Sequence, residues 1–321
     1  MVTAIATPNI ALVKYWGKKD ENLIIPMNSS ISLTLDEQLK CIAEAEFANG
    51  KDEMAVNGKP ARVDDYRVLD YVRKLAGIDK RFKIKSDTWF PVAGGLASSA
   101  AGFAAIAFAL AAVLEEEEGI ELSIKDISRI ARMGSGSACR SVLGGAVEWL
   151  AGTNDETSYA VQLVPFEGVE LVDVIGILSH EEKKFSSRAG MQMTVKTSKL
   201  YRERMKTVGE RIEKARAALK EKDYETLFAE TMADSDSMHA CMMDTQPPLN
   251  YLNEKSLEII RRVNGLNEKE GRIVCGYTFD AGPDAHIITE SKNAADAEKL
   301  FGGITDEIII ATVSCGPRVL G

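Results

Sequence analysis

Apolar and polar positions alternate through Ile31-Ser32-Leu33-Thr34-Leu35 and again across Lys40–Phe47, the period-two pattern of half-buried strands. Before them, the apolar run that starts at Asn9 ends in a basic and aromatic turn, Lys14-Tyr15-Trp16-Gly17-Lys18. Asn57-Gly58 is a hairpin-turn signal. The period then changes: Val63–Ala76 reads as a helix stopped by Gly77, Arg81–Lys85 as a strand, and Ser98–Glu117 as a buried helix, apolar almost throughout from Ala104 to Leu114. Ser123 with Asp126 three residues later is a capping-box variant that opens a further helix ending near Gly134. Strands are expected at Ala146–Leu150, Ala160–Val164 and Val169–Leu178.

Beyond Gly190 the pattern becomes long, charged and helical: Met191–Lys220, Tyr224–Met243 and Asn253–Asn267, with strands near Ile273–Tyr277, Ala285–Thr289 and Glu307–Val313. His180–Arg188 is the linker candidate, which divides the chain into an N-terminal part, residues 1–182, and a helix-rich C-terminal part, residues 183–321. The periodicity alone predicts mixed α and β structure in two halves.

The 321 residues, 45% hydrophobic and 27% charged, are enough to bury a sizeable core and show no repeat or low-complexity segment. A net charge of −9 with no basic block argues against nucleic acid as a partner, and makes any lysine or arginine inside a motif more informative. The apolar run after Ser99 is shorter than the ~20 residues of a membrane span, so no membrane association is expected. Five scattered cysteines, and no signal peptide before Pro8, point to a reducing compartment, most simply the cytosol. His180, His239 and His286 do not cluster in the spacing of a zinc site.

Three stretches carry candidate chemistry. Gly94-Gly95-Leu96-Ala97-Ser98-Ser99-Ala100 is a glycine and serine loop opening a helix, where backbone N–H groups, hydroxyls and the helix dipole would hold the phosphates of a nucleotide. The plainer reading is small residues for tight packing. Gly134-Ser135-Gly136-Ser137-Ala138-Cys139-Arg140-Ser141 repeats the theme, with Ser137 and Arg140 on one helical face, as an anion pocket capped by a guanidinium fork or simply as a flexible connector. In Tyr277-Thr278-Phe279-Asp280-Ala281-Gly282-Pro283, Asp280 sits at a strand end where either a turn or a general base would use it.

Together these stretches resemble the diphosphomevalonate decarboxylases, of the superfamily of galactokinase, homoserine kinase, mevalonate kinase and phosphomevalonate kinase. The resemblance spans nearly the whole chain and rests on Asn9–Lys18, Asn28–Leu35, Gly95–Ala105, Gly134–Ser141, His239–Asn253 and Tyr277–Pro283. It implies an α+β fold: a two-layer α/β N-terminal half of the ribosomal protein S5 domain 2-like type, carrying the phosphate loop, and a helix-rich α+β C-terminal half. It also implies ATP with Mg2+, a homodimer, and ATP-dependent decarboxylation of (R)-mevalonate 5-diphosphate to isopentenyl diphosphate by way of transient phosphorylation of the 3-hydroxyl. Rival readings on the same scaffold are a phosphomevalonate decarboxylase and a mevalonate 3-kinase; from another class, a nucleotide-binding regulatory protein.

By the same resemblance Asp280 would be the general base, with Lys18 close enough to stabilise its ionised form. Tyr15, Trp16, Gly17, Lys18, Ser135, Gly136, Ser137, Ala138, Cys139 and Arg140 would form the substrate site, with Lys14 and Asn9 in reserve and Cys139 and Cys241 read as packing. Gly95, Leu96, Ala97, Ser98, Ser99 and Ala100 would hold ATP, and Ser187 would close over it; the metal ligands are left unassigned. His239 is read as structural rather than as a base. Asp284, where relatives commonly carry Asn, would perturb Asp280 if it faced the site.

Overall fold

A computed structural model of the chain describes residues 1–90, 98–181 and 185–320. The helices are α1 (Arg67–Ala76), α2 (Ser98–Glu118), α3 (Ile124–Gly134), α4 (Ser187–Thr197), α5 (Leu200–Glu221), α6 (Tyr224–Met243), α7 (Glu254–Glu270) and α8 (Ala294–Lys299). Three larger sheets and a two-stranded one (18–20 with 25–26) accompany them, giving the α+β architecture expected from the sequence.

The first sheet runs in the order 318–320, 2–6, 41–48, 81–88, 53–56, 59–60, antiparallel except between 53–56 and 81–88. Its strand 41–48 alternates buried and half-buried residues, as its period-two pattern requires. Asn57 (φ 50°) and Gly58 (φ 71°) turn its outer hairpin in the left-handed geometry that Asn-Gly favours. Against this sheet lie α1, α2 and α3, forming a core around Phe82, Val72, Leu110 and Ile130. By length and composition α2 would pass for a membrane span, but 72% of its apolar window is buried inside the protein. Gly134 ends α3 where a Cβ would fall 1.9 Å from the Phe103 ring, so only glycine lets this end meet α2.

The second sheet, 160–164, 146–149, 30–34, 9–13, and the third, 275–278, 285–290, 171–176, 308–312, are both antiparallel. They share a core with α5 and α6 that brings Ile10, Ile31 and Leu33 together with Ile175, Ile288, Ile212 and Phe228. The opposite side of the third sheet is covered by α7 and α8 around Ile259, Val263 and Phe301. The halves interlock: strand 171–176 belongs to the third sheet, and the last strand, 318–320, returns to pair with 2–6.

One expected helix divides. The run Met191–Lys220 is interrupted at Ser198, in extended backbone (φ −77°, ψ 129°). There Asp244 Oδ2 accepts from Ser198 Oγ (2.9 Å), Lys199 N (2.6 Å) and Leu200 N (3.0 Å). A carboxylate from the end of α6 thus satisfies the free amides that start α5, a long-range cap invisible to local periodicity.

Candidate active site

A cavity of about 370 Å³ opens between the halves. One wall is hydroxyl-rich. Ser98 and Ser99 stand in the first turn of α2, and Ser99 Oγ lies 3.3 Å from Ser135 Oγ, itself 3.4 Å from Ser137 Oγ. The helix dipole and the three hydroxyls present donors to one volume, an arrangement suited to an anion. The 134–141 loop is packed into the protein: it runs into a 3₁₀ turn, Gly136–Val142, with six of its seven residues buried.

Arg140 lies beneath this wall, 3% exposed, and burial pulls its guanidinium below its ordinary value. Its hydrogen bonds run to neutral oxygens: Asn9 Oδ1 from both Nε (3.1 Å) and Nη2 (3.0 Å), Ser32 Oγ (3.0 Å), and Ser30 Oγ. Asn9 in turn donates to Ser137 O (3.1 Å) and Ser141 Oγ (2.8 Å), lashing the loop to strand 9–13. A buried charge satisfied among the described residues by neutral dipoles remains available to an anion in the cavity.

Asp280 supplies the other wall, just past strand 275–278, with its side chain 26% exposed. The lysine that meets it is Lys14, whose ammonium, 2% exposed, donates to Asp280 Oδ1 at 2.6 Å. The sequence expectation places Lys18 in this position; the ion pair seen among the described residues is made by Lys14. Lys18 lines the cavity, but its Nζ pairs with Glu21 Oε2 at 2.7 Å inside the small hairpin 18–20/25–26. The physical reason lies in the turn between them. Gly17 adopts φ +101°, with its Cα against Tyr201, whose hydroxyl donates to Trp16 O (2.7 Å); the chain reverses there and carries Lys18 away from Lys14.

Tyr15 and Trp16 both face the cavity, and neither the Tyr15 hydroxyl nor the Trp16 indole N–H has a hydrogen-bond partner among the described residues. Desolvation pushes the Tyr15 phenol far up, so it is a neutral donor. Of the other expected residues, Ser187 lines the cavity at the start of α4, whereas Gly17, Ala100, Ala138 and Cys139 do not line it, the last three being fully buried. Gly95, Leu96 and Ala97 lie outside the described residues. Asp284 turns away: it is 1% exposed, is absent from the cavity lining, and accepts from Leu178 N at 2.8 Å. His239 is 4% exposed against the Phe279 ring; burial, then the Lys14 charge, lower its pKa to about 4, so it is neutral.

Periodicity and motif reading missed Arg62 and Arg188, which also line the cavity. Arg188 pairs with Asp64 at 2.9 Å and Arg62 with Asp65 at 3.0 Å. For Arg188 the adjacent Ser187 was an available signal; an isolated arginine such as Arg62 resembles any solvated one.

Comparison with known proteins follows this geometry. The chain is similar to the solved mevalonate diphosphate decarboxylase from Staphylococcus aureus, at 38% identity and TM-score 0.90, covering 100% of this chain and 99% of that one. It is also similar to MDDEF in complex with MVAPP, AMPPCP and magnesium, at 35% identity and TM-score 0.89, covering 99% and 98%. Fold and cleft together define a small-molecule enzyme of the galactokinase and mevalonate kinase superfamily type. Residues 6–160 match the diphosphomevalonate decarboxylase-like N-terminal domain and residues 173–307 the mevalonate 5-diphosphate decarboxylase C-terminal domain. The diphosphomevalonate decarboxylase of Saccharomyces cerevisiae is 40% identical over 325 residues, 93% of this chain and 81% of that protein. The chain belongs to the diphosphomevalonate decarboxylase family.

Proposed function

We infer that this protein catalyses the ATP-dependent decarboxylation of (R)-mevalonate 5-diphosphate to isopentenyl diphosphate, carbon dioxide, ADP and phosphate. Beyond family membership, the observation that carries this reading is the Lys14–Asp280 pair at 2.6 Å, set across the cavity from a wall of serine hydroxyls and Arg140.

A tertiary hydroxyl is a poor leaving group, so it is first phosphorylated. Asp280 accepts the 3-hydroxyl proton or orients that oxygen toward the γ-phosphorus, and Lys14, donating to Oδ1, aims the carboxylate. Loss of phosphate then leaves cationic character at the tertiary carbon. The C–C bond to the carboxylate breaks, its electron pair forms the alkene, and carbon dioxide departs. Ser135, Ser137 and Arg140, with Tyr15, Trp16 and Lys18, hold the carboxylate and diphosphate; Arg62 and Arg188 stand at the same cavity for further anionic oxygens.

ATP would lie with its phosphates over the N-terminus of α2, held by Ser98 and Ser99 together with the preceding loop. Magnesium would enter with it. Among the described residues there is no group of three His, Cys, Asp or Glu side chains that could hold a metal, which fits a hard cation carried mainly by phosphate oxygens and water and supplying charge neutralisation. We also assign the protein to the cytoplasm and to a homodimer, and retain a division near residue 182.

The test is to incubate the protein with magnesium ATP and, in parallel, mevalonate, its 5-phosphate and its 5-diphosphate, following ADP and carbon dioxide together. Equal yields with the diphosphate alone are expected. ADP without carbon dioxide would make the protein a kinase, and preference for the monophosphate would change the substrate.

A further inference from the structure

Lys14 and Asp280 come from different halves of the chain. The Lys14 backbone and the segment that leads into Asp280 are both fastened to the middle of α6. Asp234, wholly buried, accepts from the Lys14 backbone N–H at 2.7 Å. The next residue, Ser235, also buried, accepts from Phe279 N at 3.1 Å, one residue before Asp280. The one after, Asp236, accepts from the Tyr277 hydroxyl at 2.9 Å.

Arg204 of α5 completes the arrangement. Its guanidinium lies 2.9 Å from Asp234 Oδ1, donates to the Asp234 carbonyl (3.2 Å), and reaches the Lys14 carbonyl at 3.4 Å, which Asn28 Nδ2 also meets at 3.0 Å. Lys14 is therefore gripped at its N–H by Asp234 and at its C=O by Arg204 and Asn28, and these three, like Ser235, are absent from the cavity lining.

We propose that Asp234 and Ser235, braced by Arg204, are positioning residues that set the separation and aim of the Lys14–Asp280 pair. The proposal rests on the reaction inferred above. A buried carboxylate and a buried guanidinium are an expensive way to fill space, since a packed apolar pair of similar volume is often as stable or more so. What an apolar pair cannot do is accept the Lys14 amide and donate to the Lys14 carbonyl at once. Displacement of a reacting group by about 1 Å can cost on the order of 10²-fold in rate, so a frame of this kind acts on kcat.

The experiment compares Ser235→Ala and Asp234→Asn with Phe228→Leu, a core change on the same helix that removes no hydrogen bond to either catalytic segment and lies outside the cavity lining. Melting temperature, kcat, KM for the diphosphate and ATP affinity are measured for each. We expect a drop of ~30-fold or more in kcat for both frame variants, with KM within about threefold and ATP affinity unchanged, while Phe228→Leu at a comparable melting temperature keeps its kcat. Ser235→Thr, which keeps the hydroxyl, should recover much of the rate. Crystal structures of the two frame variants supply a second readout: Lys14 Nζ is expected to leave hydrogen-bond distance of Asp280. Frame variants with kcat within twofold of the parent, or an undisturbed Lys14–Asp280 contact in both, would overturn the proposal. A parent protein that turns over none of the three substrates would sink the functional reading instead, and the crystallographic readout would still judge the frame.

Discussion

Lys14 and Lys18 sit four residues apart in one turn and face one cavity, yet the structure gives them opposite circumstances. Lys14 is sealed in, its ammonium on Asp280 and its backbone clamped by Asp234, Arg204 and Asn28. Lys18 belongs to a short hairpin; its side chain is only 5% exposed, but its partner Glu21 is a surface carboxylate, 47% exposed. Residue type and proximity in sequence therefore say little about role. What separates the two is whether the surrounding structure fixes the charge against one partner or leaves it free to exchange partners.

The largest expected effect bears on the group that defines the difference. Asp280→Asn should lower turnover by about 10³-fold while ATP still binds, because the amide cannot take the hydroxyl proton. Turnover within tenfold of the parent would remove Asp280 as the base, and with it the distinction drawn for Lys14. Next is Lys14→Met, expected to lose about 10²-fold in kcat by leaving the carboxylate without its buried counter-ion. Lys18→Met should instead act mainly on KM for the diphosphate, by about tenfold, with kcat changed far less, and Glu21→Gln should lower that KM slightly by releasing Lys18. The reverse split, with kcat lost at Lys18 and KM at Lys14, would invert the comparison.

The same pair marks how far the sequence could be read. Segments whose chemistry is contiguous were legible: the Asn57-Gly58 hairpin, α6 with its expected ends Tyr224 and Met243, and the 134–141 turn, because turn preference and periodicity act within a few residues. Parts set by distant partners were not. The break between α4 and α5 depends on Asp244, forty-odd residues away, and strand 2–6 finds its partners in 41–48 and in 318–320 at the far end of the chain. The 6-residue α8 is too short to show a helical period. Lys14 and Lys18 fall under the same limit, since the φ of Gly17 and the hydroxyl of Tyr201, far off in α5, decide which one reaches Asp280.

The smallest effect is the most direct report on the Lys14 charge. His239 is held down to about 4 first by burial and then by Lys14, with Asp280 acting upward. A buried histidine of this kind stays neutral in the folded protein while its unfolded counterpart, near 6.5, takes up a proton, so the unfolded state binds more protons between those values. Its contribution to stability is therefore fully present above about pH 6.5 and is lost as the pH falls toward about 4, by roughly 3 kcal/mol for a shift of about 2.5 units. Lys14→Met should raise the His239 pKa, though not to 6.5, because the desolvation remains; the acid-side loss of stability should shrink with it. Lys18→Met should leave it unmoved, since Lys18 is not among the charges acting on His239. An NMR titration of the His239 ring, assigned with His239→Gln, reads both variants without any turnover. If neither variant shifts it, the charge on Lys14 is not felt at His239 and the sealed environment ascribed to that lysine is wrong; if both shift it equally, the two lysines share one electrostatic setting.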